Sequence, residues 1–180
     1  MAALERYLDL MAAERGGSPR DGGPVVVAAL GPRMLELCAR RGVGVHPWNV
    51  TSEHTAAARA MLGRELMVAP RQAVMLCTNR DDVLAASRAH LRRYLQYPNY
   101  VCNWQRQGFS DDDLSDGGSE RLVEAMVAWG APERALERVA EHRDAGADHV
   151  VVQALPPPGE SATSALLEIA QGLTSAVPRS

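Results

Sequence analysis

Short apolar runs rich in β-branched residues alternate along this chain with stretches of helical period, and that alternation limits the fold more than any other feature. The stretch VVVAALGPRMLELCAR, Val25 to Arg40, shows the repeating unit. Val25 to Leu30 is a continuous apolar run, as expected of a strand covered on both faces in a parallel sheet. A Gly31-Pro32 turn follows, and proline loses nothing at a first helical position, because the amide there has no intrahelical partner. Met34, Leu35, Leu37 and Cys38 then make a buried stripe, with Arg33, Glu36, Arg40 and Arg41 towards solvent, until Gly42 ends the helix.

The unit recurs. Val43 to Val50 reads as a second short strand that breaks at Pro47, and a Thr or Ser cap in TSEH opens a helix to about Leu62. Leu66 to Leu76 is the third strand region, made irregular by Pro70, and NRDDVLAASRAHLRRYLQ gives a long helix after it. Pro98 to Leu114 is an insert of one or two short helices, followed by amphipathic helices in GGSERLVEAMVAWG and APERALERVAEHRDAG. Ala147 to Leu155 is the fourth strand. A helix over Ala2 to Ala13 and the loop GGSPRDGG precede the first unit, and residues 156–180 read as a proline-rich linker, a helix from about Ser161 to Leu173 and a loose tail. Four strand-helix units predict an α/β protein with parallel strands and helices packed outside. A (β/α)8 barrel takes about 250 residues; four strands in 180 residues amount to a partial one.

Charge and cysteine usage narrow the function classes. Nineteen Lys plus Arg against twenty-two Asp plus Glu leave no surplus to track a phosphate backbone, which argues against nucleic acid as a partner. The N-terminus is broken by charges every few residues, and no run nears the roughly 18 apolar residues of a membrane span, so the expectation is a cytoplasmic protein with no membrane partner. Cys38, Cys77 and Cys102 are odd in number and isolated, fitting neither disulfides nor zinc, and are expected as buried free thiols. Glu53 and His54 are adjacent, share no helix face and make no metal site.

Five stretches together carry a family resemblance: AALGPRMLELCARR at Ala28 to Arg41, GVHPWNVTSEHTAAAR at Gly44 to Arg59, APRQAVML at Ala69 to Leu76, RLVEAMVAWG at Arg121 to Gly130, and RVAEHRDAGADHVVVQAL at Arg138 to Leu155. In this order and spacing the chain, over residues 1–155, resembles the C-terminal half of the barrel of the luciferase-like monooxygenase family, in its branch that uses coenzyme F420. The resemblance implies that the first four strands of a complete barrel are absent, and that the cofactor lies across the mouth at the strand C-terminal ends. It implies a pocket here for the phosphate and ribityl side of the cofactor, with part of the substrate wall. One departure stands at Gly42-Val43-Gly44, where the family usually has Ala-Asp-Gly.

The residues themselves suggest roles within that frame. The turn Ala29, Leu30, Gly31, Pro32 and Arg33 presents helix-start amides to which a phosphate can bind, with Arg33 as an added charge-assisted donor; the plainer reading is a tight turn with Arg33 in solvent. His46 is the catalytic candidate, an imidazole able to polarise or protonate, and Trp48 can wall a ring system. Equally, His46 is a satisfied core histidine and Trp48 a lid over the barrel end. Gln153, with His149 on the same strand, is a candidate for orienting the cofactor, and His54 for a capping or surface role. Gln72, Asn99, Asn103 and Trp104 are candidates to line a substrate cavity. The insert is where a lid would sit, and Asp111 to Asp113 read as a solvated helix start.

No Ser-His-Asp set, activated cysteine or carboxylate pair is evident in the sequence, as suits chemistry carried by a borrowed cofactor. The expected function is hydride transfer between coenzyme F420, or flavin mononucleotide (FMN), and a small organic substrate. The rival is a non-catalytic half-barrel that must pair with itself, as a homo-oligomer, or with a complementary N-terminal half, since open sheet edges invite association.

Overall fold

A computed structural model of the chain describes residues 2–14, 25–157 and 161–176. The GGSPRDGG loop, part of the PPPGES linker and the last four residues lie outside the described residues. Helix α1 (Ala2–Glu14) precedes strand β1 (Val26–Val27), helix α2 (Pro32–Arg41), strand β2 (Gly44–Val45), helix α3 (Ser52–Leu62) and strand β3 (Arg71–Met75). Helices α4 (Arg80–Leu95), α5 (Pro98–Arg106) and α6 (Glu120–Met126) lead to strand β4 (Val127–Trp129), helix α7 (Pro132–Asp144), strand β5 (Val151–Ala154) and helix α8 (Ala162–Ala176).

All ladders are parallel: β1 on β2, and β3 between β4 and β5. Parallel bridges Val45–Val68 and Trp48–Arg71 join the two sheets. Backbone bonds resolve the edges of the central run. Met67, Ala69 and Arg71 bond to β2 and its extension, while Val68, Pro70 and Val74 accept amides from Asp148, Val151 and Leu155 on the other side. The Gly130 amide reaches Met75 O, so β4 continues, past the end of β2, along the edge that β2 occupies. Pro70 is tolerated just ahead of the ladder, where its carbonyl still accepts from Val151 N at 2.9 Å. Gly44 is required by closeness: a Cβ there would lie 2.7 Å from Met67 O.

The four expected strands are present as cores of the predicted runs, and a fifth, β4, lies inside a stretch read as helix. Ser119 caps α6 by accepting Leu122 N at 3.1 Å, and Leu122, Val123 and Met126 are buried at helical spacing. Val127 prolongs that period, which hides the switch, yet it is extended, at φ −122° and ψ 119°, and pairs with Ala73.

Helices cover one sheet face throughout. Val27, Ala29, Val45 and Val68 pack with Leu8 of α1, Leu35 and Cys38 of α2 and Leu62 of α3, while Val74 and Ala128 pack with Ala135 of α7 and Ile169 of α8. The C-terminal helix is therefore packed on the sheet through Ile169. The opposite face is divided. Around Ala73, Met75 and Val127 it is closed by Leu91 of α4, Trp104 of α5 and Leu122 of α6, whereas at β1 and β2 it is open, with Val26 40% and Trp48 36% exposed. Of the cysteines only Cys38 is buried; Cys77 is half-buried and Cys102 exposed, which corrects the expectation for those two. Among the described residues, no helix is long and apolar enough to cross a membrane.

Candidate functional site

The C-terminal ends of β1 and β2 enclose a slot of about 280 Å³. Its floor is the small-residue backbone of Ala28 to Gly31, and its walls include His46, Trp48, Asn99 and Tyr100. His46 is held by its Nδ1, 2.6 Å from Ala69 O. A carbonyl only accepts, so Nδ1 carries a proton, and in the neutral ring Nε2 keeps its lone pair. Trp48 meets the His46 ring edge-on at 5.7 Å between centroids.

Behind Trp48 lies a residue that sequence reading passed over. Arg71 is 7% exposed, with its guanidinium carbon 3.9 Å from the Trp48 ring centroid. Its Nη2 donates to Asn49 Oδ1 at 3.3 Å and to Tyr94 OH at 3.1 Å, while its Nε is buried without a partner. Among the described residues no carboxylate lies within 4.0 Å of it. Burial and then the Arg71 charge hold His90 down to about 4, and Tyr100 is raised, chiefly by burial. The signal was in the sequence: a charged residue after Pro70, inside an apolar run, demands a reason.

The Gly31 turn differs from expectation in its donors. Met34 N and Leu35 N both bond to Gly31 O, and Pro32 has no N–H, so the helix start offers fewer free amides than the turn suggested. Arg33 is exposed and lines neither cavity; Arg106 of α5 stands over the turn, its Nη1 3.6 Å from where a Gly31 Cβ would be. No carboxylate among the described residues pairs with Arg106. Nothing in the sequence pointed to it.

Arg106 belongs to a second cavity of about 670 Å³ beyond Leu30, which lines both spaces. His54 and Asn103 also line it. His54 is 7% exposed and donates from Nε2 to Leu30 O at 2.8 Å, so it neither caps nor lies on the surface; Thr51 is the cap. Burial lowers its pKa.

The remaining candidates scatter. Gln153 is half-buried and shares the sheet face of Arg71 by register, but it lines neither cavity. His149 is exposed ahead of β5. Trp104 is core, donating to Asn49 O at 3.0 Å. Gln72 faces away, accepting from His142, which in turn contacts Thr55. Asp111 to Asp113 form a turn, with Asp113 accepting from Ser110, Ser119 and Arg121. The insert supplies walls to both cavities, through Asn99 and Tyr100 on one side and Asn103 and Arg106 on the other.

The fold has clear relatives among solved structures. The coenzyme F420-dependent tetrahydromethanopterin reductase of Methanopyrus kandleri superposes with a TM-score of 0.63 at 19% identity, over 86% of this chain and 52% of that one. The EDTA monooxygenase of Chelativorans sp. BNC1 gives 0.58 at 18%, over 88% and 46%. An F420-dependent secondary alcohol dehydrogenase in complex with an F420–acetone adduct gives 0.53 at 12%, over 77% and 45%. The chain thus spans about half the length of these structures, as a partial barrel. No curated protein sequence matches it. A sequence profile of the luciferase-like monooxygenases matches residues 9–149, and with most of the chain so covered it belongs to the luciferase-like monooxygenase family.

Proposed function

We propose that this chain forms the cofactor-facing part of an oxidoreductase that moves a hydride between coenzyme F420, or a flavin, and a small organic substrate. The slot carries this reading: a floor of small residues, aromatic walls and an imidazole with a free lone pair meet at the strand ends. These residues fit a flat conjugated ring. The cofactor, when bound, supplies the hydride chemistry. The backbone of Ala28 to Gly31 permits close approach, Trp48 and Tyr100 wall the ring and exclude water, and His46 Nε2 can hold a proton beside it. Arg106, over Gly31, takes the phosphate contact that the sequence assigned to Arg33. We place this activity in the cytoplasm, where three free thiols persist.

The open face at β1 and β2 supports a companion reading, in which a second copy or a complementary N-terminal half closes the barrel. Val26 and Trp48 are exposed there, and β1 and β5 each have a single ladder partner among the described residues. The test is a fluorescence titration of the purified chain with coenzyme F420 beside FMN, with mass in solution recorded at the same concentration. Saturable binding by a dimer supports both readings. Absence of binding by a folded protein refutes the enzyme reading for this chain alone.

A further inference from the structure

Resting on the reading of the slot as a ring site, we propose that Arg71 is a positioning and specificity residue that makes the slot select a ring in its deprotonated, anionic state. A guanidinium placed where water barely reaches, with no carboxylate within 4.0 Å among the described residues, is an uncompensated charge. Its neighbours carry no opposing charge. His90 and Tyr94 come from α4, Tyr100 from α5 meets Tyr94 edge-on at 4.8 Å between centroids, and Trp48 and Asn49 come from the extension of β2. These are phenols, an amide, an indole and an imidazole that the same charge helps keep neutral. Nothing facing Arg71 is an anion at neutral pH, and His46, the other titratable group of the slot, offers none.

The geometry also aims that charge. Arg71 stacks on Trp48 at 3.9 Å, and Trp48 lines the slot, so a ring resting on the indole sits about 7 Å from the guanidinium. At that separation, in surroundings of effective dielectric about 20, a unit charge lowers the ionisation midpoint of an acidic ring hydroxyl by about 1.7 pH units. The same contact fixes the indole, because a cation held against its face resists rotation of the ring.

The probe is 8-hydroxy-5-deazariboflavin, the tail-less ring of coenzyme F420, whose ionisation is followed by absorbance in the wild-type protein, in Arg71→Met and in Arg71→Lys, with thermal melts reporting folding. Wild type is expected to lower the bound midpoint by about 1.7 pH units against the free ring, Arg71→Met to abolish most of that shift, and Arg71→Lys to restore it. A bound midpoint equal in wild type and Arg71→Met overturns this inference and leaves the ring site standing. Failure of the folded wild type to bind the ring in either ionisation state overturns the ring site, and this inference with it. If Arg71→Met does not fold, a midpoint in wild type at or above that of the free ring overturns the proposal without it.

Discussion

Acidification should unfold this protein through His142, and the size of the effect can be worked from its surroundings. The imidazole is fully buried between α7, α3 and β3. Gln72 Nε2 donates to the carbonyls of Ala73 and Met126, so its Oε1 accepts from His142 Nε2–H, while Nδ1 lies 2.8 Å from the Thr55 hydroxyl, whose oxygen is also 3.4 Å from Thr51 O. Both nitrogens of the neutral ring thus have a partner within the core. Burial, then the charge of Arg138, holds the pKa down to about 4 from 6.5, against a smaller opposing pull from Glu53. Because the folded value is the lower one, the unfolded chain binds the extra proton first. The stabilisation is complete above about pH 6.5 and is lost as pH falls towards 4. At about 1.4 kcal/mol per pH unit the whole window is worth about 3 kcal/mol, a large share of a marginal fold. The perturbation is His142→Gln, whose amide keeps one donor and one acceptor but no proton to gain. Urea unfolding of both proteins between pH 7.5 and 4.5 is expected to show wild type losing about 2 to 3 kcal/mol more than the variant. Parallel profiles for the two would refute the account, since His54 and His90 titrate in both and cancel in the difference.

Other consequences are as specific. Arg106→Ala should weaken coenzyme F420 binding about tenfold or more while Arg33→Ala leaves it unchanged, measured by fluorescence titration at two salt concentrations; equal effects would remove Arg106 from the turn's ligand contacts. Gly44→Ala puts a Cβ 2.7 Å from Met67 O and 2.8 Å from Met67 Cβ, both hard to move, and should cost about 1–3 kcal/mol in urea unfolding. In native protein at pH 8 a thiol reagent should modify exposed Cys102 quickly and spare Cys38, whose thiol burial pushes up to about 11, until the chain unfolds. Equal rates at Cys38 and Cys102 would contradict the packing around α2.

What could be read from the sequence was whatever local pattern decides. Val25 to Leu30, with Gly31-Pro32 and the stripe of α2, announced strand, turn and helix because every residue agreed on them. Val127 to Trp129 did not, since Val127 sits as well on the α6 stripe as in a ladder, and only the vacant edge of β3 beyond β2 settles the matter. The site divides the same way. His46, Trp48 and Gly31 follow strand ends, so topology alone brings them together. Arg106 reaches Gly31 across 75 positions of chain, and Arg71 reaches Trp48 through a bridge between strands, relations that no local spacing encodes. Gln153 shows what alternation leaves open: its pairing with Ala73 gives it the sheet face of Arg71, while the residues lining the slot lie on the extensions of β1 and β2, on α2 and on α5.

Leu30 is the partition between two chambers, and it is anchored from one of them: His54, lining the larger chamber, holds its carbonyl at 2.8 Å. Two ligand fragments placed on either side therefore share one wall. A ligand in the larger chamber that displaces Leu30 would change the width of the smaller one, and the two halves of an elongated molecule would then bind with energies that do not add. A fragment tested alone will misstate its worth in the whole, and substitutions at Leu30 or His54 should change how the halves depend on each other more than how either binds.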